Sequence, residues 1–123
     1  MRTEKNVLGG ELRACSYAPL TGYFRDGCCA THGEDAVAHL VCVLVTAQFL
    51  EFSGSKGNDL VTPRPEMRFR GLQPGDRWCL HVLRWVEAWE AGHAPRVVLE
   101  ATHEDVLKFV PLSALKRYAL DLN

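Results

Sequence analysis

A chain of 123 residues with 47% hydrophobic content is large enough for one real core, and a single domain over 1–123 is expected. Its formal net charge of −1 and pI near 6.5 speak against a general nucleic-acid binder, which carries a basic excess. The longest apolar run, 36–50, is too short to span a bilayer and contains His39 and Gln48, so no membrane partner is expected.

The chain opens on a polar stretch that leads into no apolar run, so no secretory leader is expected and a cytoplasmic location follows. In that compartment the five cysteines are read as free thiols, and an odd count forbids complete pairing within one chain. Residues 6–16 carry VLGGEL, a strand or entry loop broken by glycine. Residues 19–33 are punctuated by Pro19, Gly22, Asp26-Gly27 and Gly33 and read as an ordered loop built from turns.

HLVCVLVT at 39–46 is β-branched and apolar almost throughout, which predicts a strand buried on both faces, with a buried helix as the alternative. Thr46 stands where an N-cap belongs, and Phe49, Leu50, Phe52 and Ser53 share one face of a short helix that Gly54 and Gly57 end. Residues 58–75, with Pro63, Pro65 and Pro74, form a long extended connection. A loop of that length in a small domain often carries function.

Residues 75–92, GDRWCLHVLRWVEAWEAG, hold all three tryptophans. On a helix at about 100° per residue, Trp78, Val82, Trp85 and Trp89 fall on one stripe. Asp76 would cap the first turn and Gly92 close the last, and the core would pack around three indoles. RVVLEA at 96–101 predicts a second strand. Thr102 and Asp105 approximate a capping box for a helix at 103–110. Pro111 stops that helix, and a last amphipathic helix over 112–122 presents Leu112, Leu115, Tyr118, Ala119 and Leu122 to the core. The expected fold is α+β, a small sheet with about four helices packed on it.

The segments NVLGGEL, TGYFRDGCC, VCVLVTAQFLEFS, GNDLVTPRPE, GLQPGDRWCL, APRVVLEATHE and VPLSALKRYA together resemble the small bacterial proteins of domain-of-unknown-function family 2237. The resemblance runs from about Asn6 to Ala119. It implies a compact single-domain cytosolic protein of α+β character and no particular reaction. In the family pattern the tryptophan is followed by Cys-Leu-Cys, whereas this chain has Cys79-Leu80-His81.

Several constellations could carry chemistry. Cys28, Cys29 and His32 make a C-C-x-x-H loop whose thiolates and imidazole suit zinc. The plainer reading buries one cysteine as a small apolar residue and exposes the other. His39 and Cys42 are three apart on a strand and point to opposite faces, so both read as core residues. Cys79 and His81 diverge on a helix and would share a face only if 78–82 were a strand.

His103, at the first residue of a helix directly after a strand, stands where ligands collect in α/β units. Asp26, Asn58 and Asp59 lie in the two loops least explained by packing, although turn chemistry accounts for much of both. Arg64, Arg68, Arg70 and Arg77 form a basic stretch suited to a phosphate or carboxylate, or to a solvated surface. Nucleotide-binding loops, dinucleotide fingerprints, the serine-hydrolase elbow and H-E-x-x-H are absent from the sequence.

The first functional expectation is a small-ligand or substrate pocket where the 23–32 loop, the 58–66 loop and His103 converge. Asp26, Cys28, Cys29, Asn58, Asp59 and His103 would supply its polar groups. The alternatives are a non-catalytic interaction protein and a metal-binding protein using the Cys and His side chains. No cofactor, reaction or oligomeric state follows from the sequence.

Overall fold

The computed structural model describes residues 4–34 and 38–121. Leu122, expected on the last helix, lies outside the described residues, as do Ala36 and Val37 of the long apolar run. The fold is α+β. Its sheet has three antiparallel strands, with β1 (His39–Leu44) between β2 (Arg77–His81) and β3 (Arg96–Val97). Three α-helices complete it: α1 (Ala47–Ser55), α2 (Val82–Glu90) and α3 (Leu112–Arg117). Among the described residues no helix is long and apolar enough to cross a membrane.

β1 forms as its composition dictates. Leu40, Val41, Cys42 and Val43 are all buried, because this central strand is covered on both faces. Thr46 then caps α1, its hydroxyl accepting from Phe49 N at 3.0 Å. α1 turns Phe49, Leu50 and Ser53 inward and runs through Gly54 to Ser55.

The expected helix over 75–92 is corrected. Arg77–His81 is a strand paired with β1, and the helix starts only at Val82. The spacing of Trp78 from Val82 and Trp85 matches a helical stripe by coincidence, and pairing with β1 wins over that local period. His81 stays extended, and its Nδ1 accepts from Leu83 N at 3.1 Å to cap α2. Trp85 is fully buried, stacked on Trp89 and met edge-on by Tyr118. Trp78 instead packs beside Phe69, with ring centroids 5.1 Å apart.

The fourth expected helix, 103–110, is a 3₁₀ segment, Glu104–Lys108, so three α-helices stand where about four were expected. Few residues separate the His103 cap from Pro111, and the chain there closes with i→i+3 bonds such as Val106 N to His103 O. The strand expected at 96–101 shortens to Arg96–Val97 followed by a 3₁₀ turn, Leu99–Ala101.

The expectation of five free thiols is overturned. Cys15 is bonded to Cys42 and Cys29 to Cys79, and only Cys28 is free. Cys42 and Cys79 are direct partners across β1 and β2, and the loop cysteines lie over them. Cα separations of 5.6 and 5.3 Å fall within disulfide reach. An odd count excludes complete pairing but not two pairs, and the partners meet only in three dimensions. These bonds fasten the chain before β1 to the sheet.

The amino-terminal segment is also hydrogen-bonded down its length. Val7 N donates to Thr102 O, Arg13 N to Glu100 O, and Glu104 N to Lys5 O. The Asn6 side chain donates to Glu11 O and Glu100 O and accepts from Leu8 N and Gly10 N.

Candidate functional site

β2 is an edge strand, and its outer main chain needs partners. The turn-rich loop after Pro19 supplies one: buried Thr21 accepts from Cys79 N through its hydroxyl at 2.8 Å. Gly22 follows at φ +98, and a Cβ there would stand 2.4 Å from Cys28 O, so only glycine lets the loop fold back this tightly. Arg25 takes a left-handed backbone, φ 57. Its N–H and Nη1 both donate to Gly22 O, and its guanidinium lies 5.2 Å from the Trp78 ring centroid.

Between this loop, the ends of β1 and β2, and the connection after α1 lies a cavity of about 390 Å³. That volume is in the range of small-molecule sites. Trp78, Leu60 and Met67 form apolar wall, and Tyr23, Asn58, Arg25, His39, His81 and Arg84 bring polar groups. Among the described residues no carboxylate side chain lines it. A smaller cavity of about 190 Å³ continues from it, sharing Arg25, Asn58 and Trp78 and adding Asp59, Arg64 and Phe69.

The two histidines are brought together by the sheet. His39 and His81 are register partners across β1 and β2, next to an irregularity between His39 and Val41. Such a bulge re-aims side chains. Their rings meet edge to face with centroids 5.2 Å apart. Burial pushes the His39 pKa down, and His81 and Arg25 push it further. Burial and Arg84 do the same to His81. Both rings are therefore neutral at pH 7. His81 Nδ1 is an acceptor toward Leu83 N, which leaves its Nε2 as the N–H donor. His39 Nδ1 is buried with no hydrogen-bond partner among the described residues.

The sequence-expected residues divide between places. Asn58 lines both cavities and Asp59 the smaller one, so the 58–66 loop does meet the 23–32 loop, through Arg25. Asp59 turns its carboxylate onto Val61 N and Thr62 N, and the Thr62 hydrogen bonds hold its pKa down. Asp26, Cys28, Cys29 and His103 are not among the lining residues. Asp26 accepts from Cys28 N and pairs with His32 Nε2 at 2.6 Å. Burial, then the charges of Asp26 and Glu4, push the Cys28 thiol up, so it is protonated and a poor nucleophile at neutral pH. Cys29 is buried in its disulfide.

His103 is buried as the N-cap of the 3₁₀ segment: its Nδ1 accepts from Asp105 N and its Nε2 lies 2.9 Å from Glu4 Oε1. Glu4 also accepts from Thr31 N, the Thr31 hydroxyl and His32 N. Burial raises its pKa, but these bonds outweigh burial and hold it down to about 2.

Sequence reading passed over Arg25, Arg84 and Glu4, and it read His39 and His81 as core residues. The signal for His81 lay in the alternation of Trp78 and Leu80 with Cys79 and His81, legible once 77–81 is a strand. Nothing marked Glu4.

The chain belongs to the family of uncharacterized proteins conserved in bacteria known as DUF2237, whose model matches residues 5–119. No curated protein matches it.

Proposed function

We propose that the protein binds a small organic molecule bearing a carboxylate or phosphate in the cavity between the 21–25 loop, β2 and the 58–67 connection. One observation carries this reading: Arg25, Arg84 and two neutral, facing histidines line a cavity whose wall, among the described residues, holds no carboxylate. Among the described residues Arg25 forms no ion pair, and Arg84 has only Glu87 at 3.3 Å. Cations held at a concave wall with little compensating charge favour an anion. Trp78, Leu60 and Met67 suit the apolar body of such a ligand, and Asn58 supplies an amide for a neutral polar group.

The left-handed backbone at Arg25 supports the same reading. A non-glycine residue there costs on the order of 1–3 kcal/mol, and such strain collects at ligand sites. Enzymatic use of the site is favoured by the histidine pair alone: a neutral imidazole beside an anchored acid can take up its proton.

The test is a thermal-shift screen of small carboxylates and phosphate monoesters against the protein, its Arg25→Gln variant and its Arg84→Gln variant. The reading expects a stabilising subset that loses its effect in both variants. Stabilisation that survives both substitutions would place the ligand elsewhere, and no stabilisation by any of them would remove the reading.

A further inference from the structure

We propose that Cys15, Cys29, Cys42 and Cys79, when reduced, form a thiolate site for one zinc ion that takes over from the two disulfides as the clamp between loops and sheet. The inference does not depend on what the cavity binds, although Cys79 also lines its wall, and rests on where the sulfurs are. Cys15, Cys29 and Cys79 Sγ all lie within 4.8 Å of one another, and among the described residues this is the one Cys, His, Asp or Glu group gathered so closely. Cys42 Sγ is bonded to Cys15 and its residue faces Cys79 across the strand pair. Four sulfurs from four segments thus share one buried cluster, with Val98 and Ala101 packed against them.

Tetrahedral zinc with Zn–S bonds of about 2.3 Å needs sulfurs roughly 3.8 Å apart. Cys29 and Cys79 Sγ are bonded at 2.02 Å with Cys15 Sγ within 4.8 Å of both, and opening the two disulfides lets each bonded pair of sulfurs separate to that spacing around one centre. An all-sulfur donor set suits a thiophilic ion and rejects calcium or magnesium, which seek oxygen. Two strands hold two of the donors in fixed register, so half the site is preorganised by the sheet.

The chemistry balances with a dithiol as reductant. Each disulfide takes two electrons and two protons, giving two thiols while the dithiol leaves as its own disulfide. Zinc(II) then binds the four sulfurs as thiolates, and four protons pass to solvent. Without the ion, reduction removes both covalent clamps from the segments that carry Cys15 and Cys29. With it, one ion joins the same four points. Cys28 takes no part, since it lies outside the sulfur group.

The experiment reduces the wild-type protein anaerobically, adds zinc(II) alone or none, and maps alkylation at each cysteine by mass spectrometry. The expected result is one zinc per chain by native mass spectrometry. Alkylation of Cys15, Cys29, Cys42 and Cys79 should slow by at least about tenfold with zinc, while that of Cys28 does not change. Cadmium in place of zinc should give a thiolate-to-metal charge-transfer band that persists in Cys28→Ser and fades in Cys42→Ser. Protection of Cys28 would assign the ion to the 28–32 loop and overturn the proposal. So would reduced protein that holds no zinc, or five thiols alkylated equally with and without it. Because the protection pattern is read on the wild type, a Cys42→Ser chain that fails to fold leaves the test intact.

Discussion

Glu4 and His103 meet 2.9 Å apart across 99 positions of sequence. His103 Nδ1 accepts from Asp105 N, so Nε2 carries the proton and donates to the carboxylate. Glu4 thereby joins the start of the chain, the end of the turn-rich loop at Thr31 and His32, and the turn after β3. Glu4→Ala would leave Thr31 N and His32 N without their acceptor, and a loss of about 2–3 kcal/mol is expected by denaturant unfolding.

The sign of its pH dependence follows from the depressed pKa. Glu4 falls from 4.5 to about 2 on folding, so its contribution is complete above 4.5 and drains away as pH drops toward 2. Comparing unfolding curves of the wild type and Glu4→Gln through that window checks it. Equal acid sensitivity in both would show that Glu4 is not the anchor described.

His39 and His81 give a second window. Both pKa values lie below the ordinary 6.5, because burial and the cations beside them oppose imidazolium. Their contribution to stability is complete above 6.5 and is lost as pH falls from there through the folded values. An anion in the cavity reverses the electrostatics, so binding should raise both pKa values and affinity should rise as pH falls. Ring-proton titration by NMR, with and without a stabilising anion from the screen, measures this. Unshifted histidines in the complex would contradict it.

Trp85 tests the packing. It is fully buried, and its Nε1 donates to Pro95 O at 3.3 Å. Trp85→Ala should cost about 3–5 kcal/mol, as large aromatic truncations in cores do. A loss below about 1 kcal/mol would show that the core does not centre on this indole.

Much of the fold was legible where local chemistry and tertiary structure agree. The β-branched run became β1, and Thr46 capped α1 because its hydroxyl has a free N–H to meet. Residues 77–81 were not legible, because a strand entering a helix without glycine or proline kept Trp78 in helical spacing with Trp85. The disulfides failed for a related reason. Cys15 and Cys42 become neighbours only when the loop lies on the sheet. Of the residues lining the two cavities, Asn58 and Asp59 were singled out because their long loop had little packing to explain it. His39 was set aside as core because the bulge that aims it at His81 is a pairing irregularity, which the sequence of one strand does not carry.

The measurement that bears most directly on the anion-binding cavity is an NMR titration of the protein with an anion selected by the stabilisation screen. Shift changes should concentrate on the Trp78 indole, the His39 and His81 rings and the Arg25 and Arg84 guanidinium groups, and should vanish in Arg25→Gln. Changes centred instead on Cys28, His32 or His103, with the cavity residues silent, would contradict the account.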